Sequence, residues 1–197
     1  AISYGLIADL LRGYWQAAPD EAQQSIAARL QTTLRRCQVA GQLDAAQVGE
    51  IGPLLAHLLS LQWGNAGGQA LPQVDPSQLH LRTLAAIRTL LVALAQHQPL
   101  VLLLEDLQWA DALSLEVAAD LLTLPAETPI LLLYLYRPEG TQRDARLATL
   151  ARQHSAERFN EIPLRELTPP QSSALLASLL TVEALPSHVH DLILREA

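Results

Sequence analysis

The chain has 197 residues, 50% of them hydrophobic and 17% charged, with a formal net charge of −7. That length suits one α/β domain, or one with a small appendage, and the apolar content excludes global disorder. The acidic balance argues against this chain gripping a nucleic-acid backbone, and a single cysteine, Cys37, excludes an internal disulfide.

The cysteine usage suits a reducing cytoplasm, which is the expected location. No uninterrupted apolar run approaches the roughly 18 residues of a membrane span, and the first residues lack a basic signal-peptide start. No membrane partner is expected. All 13 basic residues are Arg, and the sequence contains neither Lys nor Met. The missing Met suggests a piece of a longer protein.

In chain order, apolar spacing predicts a helix over 4–15, with Leu6, Ile7, Leu10, Leu11 and Tyr14 on it. Asp20 is placed to cap a second helix over 21–36, which carries Ile26, Leu30 and Leu34 on one face. Asp44 is placed to cap a third, reaching about residue 61 with a bend or break before Pro53. Residues 64–76, with three Gly and two Pro, read as a loop. Ser77 is placed to cap a long helix to His97, with Leu81, Leu84, Ile87, Leu91 and Leu94 at spacings of three and four.

The pattern then changes. Residues 100–104 are five consecutive apolar residues that run into adjacent carboxylates, Glu105 and Asp106. This suits a fully buried strand of a parallel sheet with acids at its carboxyl end, where open α/β sheets bind ligands. A helix is predicted from Ser114, its N-cap, to Leu124, then a strand over 130–136, a helix over 143–154 and a weaker third strand over 159–164. Thr168 is placed to cap a helix at Pro169, and Pro186 to begin a last one. The fold class is therefore α/β: a partial parallel sheet of about three strands flanked by helices. The divisions are a helical segment (1–97), an α/β core (98–166) and the start of a helical lid (167–197).

Other features carry less chemistry. Asp111 reads as a helix-start residue and Trp109 as a packing anchor. Cys37 reads as a half-buried thiol beside Arg35 and Arg36. His188 and His190 fall in a predicted helix, where residues two apart do not share a face. No nucleophile–base arrangement is apparent.

The segments VLLLEDLQWADALSLEVAADLL, ILLLYLYRPEG and IPLRELTPPQSSALLASLL, in this order, resemble the STAND signalling ATPases of the AAA+ P-loop class. The likeness extends to modules of bacterial adenylate/guanylate cyclase-like proteins and large LuxR-type transcriptional regulators, and SYGLIADLLRG fits the same pattern. The resemblance implies a Walker B strand, with Glu105 associated with Mg²⁺, directly or through water, and Asp106 polarising the attacking water. It implies that Arg137 senses the terminal phosphate.

The departure is the phosphate-binding loop. The family's G-x-x-x-x-G-K-[ST] is absent, and with no Lys it cannot be present. ATP and Mg²⁺ are thus the cofactors expected of a full-length protein, with none expected in this piece. The implied function is part of an ATP-driven signal-transduction switch acting on attached output domains, such as a cyclase, a DNA-binding domain or a repeat array. The alternative is a non-catalytic helical interaction or dimerisation scaffold. Loss of the P-loop strand predicts either that strands 130–136 and 159–164 close up, or self-association through exposed sheet edges.

Overall fold

The computed structural model of the chain describes residues 4–63, 75–137, 142–155 and 157–179. The loop expected over 64–76 falls almost wholly outside these residues, as do the last helix from Pro186 and the pair His188 and His190.

Four helices come first. Helix α1, Gly5–Tyr14, buries Ile7 and Leu11. Helix α2, Gln23–Val39, buries Ile26, Leu30, Leu34 and Cys37 at spacings of three and four. Asp20 does not cap it. Ala22 holds the N-cap position, and the Glu21 carboxylate takes the Ala18 N–H, the Ser25 hydroxyl and the Arg29 guanidinium. Gly41, at φ +74°, lets the chain leave α2 through a left-handed turn that few side chains tolerate.

Helix α3, Ala45–Leu58, begins with a capping box. The Gln47 N–H donates to Asp44 at 2.7 Å, and the Asp44 N–H donates to the Gln47 side chain at 2.8 Å. The helix runs unbroken through Pro53, contrary to the expected interruption. The carbonyl that Pro53 leaves without its helical partner belongs to Gly49, an exposed position that water can satisfy.

Helix α4, Pro76–His97, starts two residues earlier than the Ser77 cap implied. Asp75 takes the N-cap position, Pro76 the first turn, and the Ser77 hydroxyl donates to Asp75. Its buried face is Thr83, Ala86, Ile87, Leu90, Leu91, Ala93, Leu94 and Ala95, rotated from the expected Leu stripe, and Leu81 is exposed. At 22 residues α4 is long and apolar enough to cross a bilayer by length and composition; here it is a core helix.

The sheet has two strands among the described residues. Strands β1, Leu100–Leu104, and β2, Ile130–Tyr134, pair in parallel, with Leu100 opposite Ile130 and Leu104 opposite Tyr134. Between them, helix α5, Ala112–Leu121, starts two residues before the expected Ser114. The third strand does not form: residues 159–168 are irregular, and Ile162 and Leu164 are 73% and 89% exposed. Pro163 removes one ladder donor, and a short strand is not stable without a partner. The expected closing of two strands over a gap therefore does not occur.

β1 is also not fully buried. Leu100, Leu102 and Leu104 face the core, whereas Val101 and Leu103 are 63% and 47% exposed. The main core joins α1 to α4 with the inner face of the sheet. A smaller cluster of Leu104, Leu107, Ala118 and Leu147 sits under helix α6, Gln142–Ser155. Cys37 is fully buried rather than half-buried, and burial pushes its thiol up despite the nearby Arg36.

Residues 160–197 form a separate unit. Its described helix, α7, Pro169–Leu179, begins where the Thr168 N–H and hydroxyl both donate to the Gln171 side chain.

Candidate functional site

The site grows from the end of β1. Leu104 is fully buried, and the next two residues, Glu105 and Asp106, leave the strand exposed. Asp106 adopts a left-handed conformation (φ 55°, ψ 36°), uncommon outside Gly and costing about 1 kcal/mol or more. The turn is held by the single 3-10 turn Leu107–Trp109, whose Leu107 is buried and donates its N–H to the Leu135 carbonyl.

Gln108 connects the two strand ends. Its Nε2 donates to Asp106 Oδ1 at 2.9 Å, and its Oε1 accepts the Arg137 N–H at 3.2 Å. Asp106 and Arg137 are thus joined through one amide side chain, with the link running to the Arg137 main chain. The sequence reading missed Gln108, although it lies between Asp106 and Asp111 in the EDLQWAD segment.

A cavity of about 830 Å³ opens beside β1. Leu10, Leu11, Leu91 and Leu94 form much of its apolar wall, and Asp9, Glu105, Asp106 and Asp111 supply its carboxylates. No Arg, Lys or His lines it among the described residues. Glu105 and Asp106 therefore share a cavity, and Arg137 lies outside its lining. Asp9, on the exposed side of α1, was not singled out from the sequence.

Asp111 ties the cavity walls together. It caps α5 by accepting the Ser114 N–H at 3.0 Å and the Ser114 hydroxyl at 2.6 Å. It also accepts the Tyr4 N–H at 3.3 Å and the Gly5 N–H at 3.2 Å. One carboxylate thus sits at the N-terminal ends of α1 and α5, where the helix dipoles favour negative charge. Burial alone would raise its pKa, but these four donors outweigh burial and hold it below the ordinary value.

A second chain reinforces the join. Tyr4 Oη lies 2.6 Å from His80 Nδ1, and His80 Nε2 lies 2.8 Å from Glu116. Burial, then Glu116 and Asp111, raise the Tyr4 pKa, which keeps the phenol protonated as a donor. This hydroxyl–imidazole–carboxylate order was not apparent in the sequence because its members are 36 and 76 residues apart. The raised phenol pKa suits a structural fastening and opposes nucleophilic use.

Two sequence expectations change. Ser114 sits three residues inside the cap, and Asp111 is the N-cap, as its reading as a helix-start residue implied. Trp109 is 78% exposed at the cavity lip and packs into no core.

The carboxylate oxygens of Glu105 and Asp106 are hard donors that fit Mg²⁺, whereas the lining offers phosphates no cationic side chain. Among the described residues no group of three or more potential ligands is placed to hold a metal by itself.

No curated protein and no solved structure matches the chain. A family model described as an AAA ATPase domain matches residues 2–133, about two thirds of the sequence. The match takes in α1 to α4, β1 with its acids and nearly all of β2, so the chain belongs to the AAA ATPase domain family.

Proposed function

We propose a general nucleotide-binding role, with ATP and Mg²⁺ as the cofactors of the full protein, on the strength of the family match. We propose that the chain is the acid-bearing core of a STAND-class switch, in which ATP binding and slow hydrolysis alter the activity of attached output domains such as a cyclase or a DNA-binding domain. The observation that carries this reading is the placement of Glu105 and Asp106 at the carboxyl end of β1, joined through Gln108 to Arg137 just beyond the parallel β2.

Each residue then has a distinct role. Glu105 holds Mg²⁺, directly or through water. Asp106 orients the attacking water; one of its oxygens is fixed by Gln108, which leaves the other for that task. Arg137 contributes an always-charged guanidinium for the terminal phosphate. The metal, when bound, supplies charge neutralisation at the phosphates.

A phosphate loop must supply the cations that the lining lacks. Isothermal titration of this chain with Mg-ATP should therefore give no saturable heat at micromolar concentrations; a micromolar dissociation constant would overturn the requirement. In the full-length protein, Asp106→Asn should lower ATP turnover about 100-fold or more, within the range for loss of a positioned catalytic group. Unchanged turnover removes Asp106 from catalysis and favours the second reading, a helical interaction scaffold. That reading draws on the large core that α1 to α4 build.

A further inference from the structure

The hydrogen bonds between the two strands continue past the end of β1. The Leu135 N–H donates to the Leu104 carbonyl at 2.9 Å, and the Leu135 carbonyl accepts the Leu107 N–H at 3.2 Å. Beyond Leu104 the chain turns away at Asp106, whose backbone is left-handed. Two residues after Leu135, the Arg137 N–H meets the Gln108 Oε1 at 3.2 Å instead of a main-chain carbonyl. A side-chain amide thus supplies the rung that the turn removes, and a main-chain donor keeps a partner.

The other end of the same amide is committed as well. Gln108 Nε2 donates to Asp106 Oδ1 at 2.9 Å. Gln108 is partly buried, because the 3-10 turn sets it between the buried Leu107 and the exposed Trp109. Asp106 is exposed, and such a carboxylate samples several rotamers unless something selects one. A charge-assisted bond from a partly buried donor makes that selection.

Building on the reading of Asp106 as the acid that orients water, we infer that Gln108 is the positioning residue of the site: its amide completes the join between the strand ends and holds the Asp106 carboxylate at a fixed place beside Arg137. The two ends of the amide do separable work. Methionine at 108 would keep the length and lose both bonds. Glutamate would still accept the Arg137 N–H, but it has no donor for Asp106 and sets a second negative charge against it.

The first measurement is amide exchange by NMR in this chain, without nucleotide. Gln108→Met should speed exchange of the Arg137 amide about tenfold and leave Leu135 within about twofold of the wild type, as for loss of one hydrogen bond. Gln108→Glu should keep Arg137 protected. The second measurement is ATP turnover in the full-length protein. Both variants should lower kcat about tenfold with KM within about twofold, the mark of an interaction that matters in the transition state. Neither should lower turnover further when Asp106→Asn is already present, because the two residues act as one unit.

A residue that only braced the sheet would lose no turnover in Gln108→Glu, which keeps the bond to Arg137. Full turnover in Gln108→Glu, an added loss on top of Asp106→Asn, or unchanged Arg137 exchange in Gln108→Met would each overturn the positioning role. Exchange that quickens throughout β2 would make Gln108 a general brace and overturn it too. Loss of turnover in Asp106→Asn with full turnover in both Gln108 variants overturns this role alone. Full turnover in Asp106→Asn overturns the reading of Asp106, and the role of Gln108 with it.

Discussion

At the residue scale, two glycines of α3 should respond oppositely to the same change. A Cβ on Gly52 would lie 2.3 Å from the Trp63 ring, so the indole must move. A Cβ on Gly49 would meet nothing within 4 Å. Alanine gains about 1 kcal/mol over glycine in a helix interior, whereas overpacking costs about 1–3 kcal/mol. Gly49→Ala should therefore stabilise the chain by about 0.5–1 kcal/mol, and Gly52→Ala should destabilise it by about 1–2 kcal/mol. Urea midpoints at constant slope check both; equal shifts in one direction would show that Trp63 does not rest on Gly52. The glycines look alike in the sequence, and only the return of Trp63 onto α3 separates them.

At the element scale, Asp111 decides how α1 meets α5. Asp111→Ala removes a cap and two further charge-assisted bonds and should cost about 2 kcal/mol; Asp111→Asn keeps one acceptor and should cost about 1 kcal/mol. Its pKa in the folded chain lies below the ordinary 3.8. A carboxylate depressed on folding contributes stability that is present in full above its unfolded value and is lost as pH falls through its folded value. The gap between the wild type and Asp111→Asn should thus stay constant from about pH 7 to 5 and narrow below about pH 4. A gap that does not change with pH would mean that the carboxylate charge has no part in the tie.

The sequence made Asp111 legible as a helix start, because its spacing to Ser114 is local. Its hold on Tyr4 and Gly5 spans more than 100 residues and leaves no periodic trace. The same division holds elsewhere. The apolar run before Glu105 and Asp106 identified both strand and acids, and Asp44 identified a cap. The strand expected over 159–164 depended on a neighbour to pair with, which local pattern cannot supply. The exposure of Trp109 likewise depends on what lies opposite it.

At the scale of the whole molecule, the described residues cover the sheet on one side only. Parallel strands are almost always buried on both faces, yet Val101, Leu103, Leu131, Leu133 and Leu135 are all at least 40% exposed. The register puts Val101 beside Leu131 and Leu103 beside Leu133, so these side chains form one continuous patch. The net charge of −7 opposes contact between copies, while the patch favours it. The two faces should then differ sharply under substitution. Leu102→Ala, on the inner face, opens the main core and should cost about 2–5 kcal/mol. Leu103→Lys and Leu133→Lys, on the outer face, should shift stability by no more than about 0.5 kcal/mol. They should also reduce binding of the dye ANS, which the wild type should show while still unfolding in one cooperative step. Cooperative unfolding separates an open native face from a loosened core, because a molten state binds the dye without fixed packing. If Leu103→Lys proves as costly as Leu102→Ala, the outer face is covered in solution, and the sheet has a second layer built from residues beyond those described.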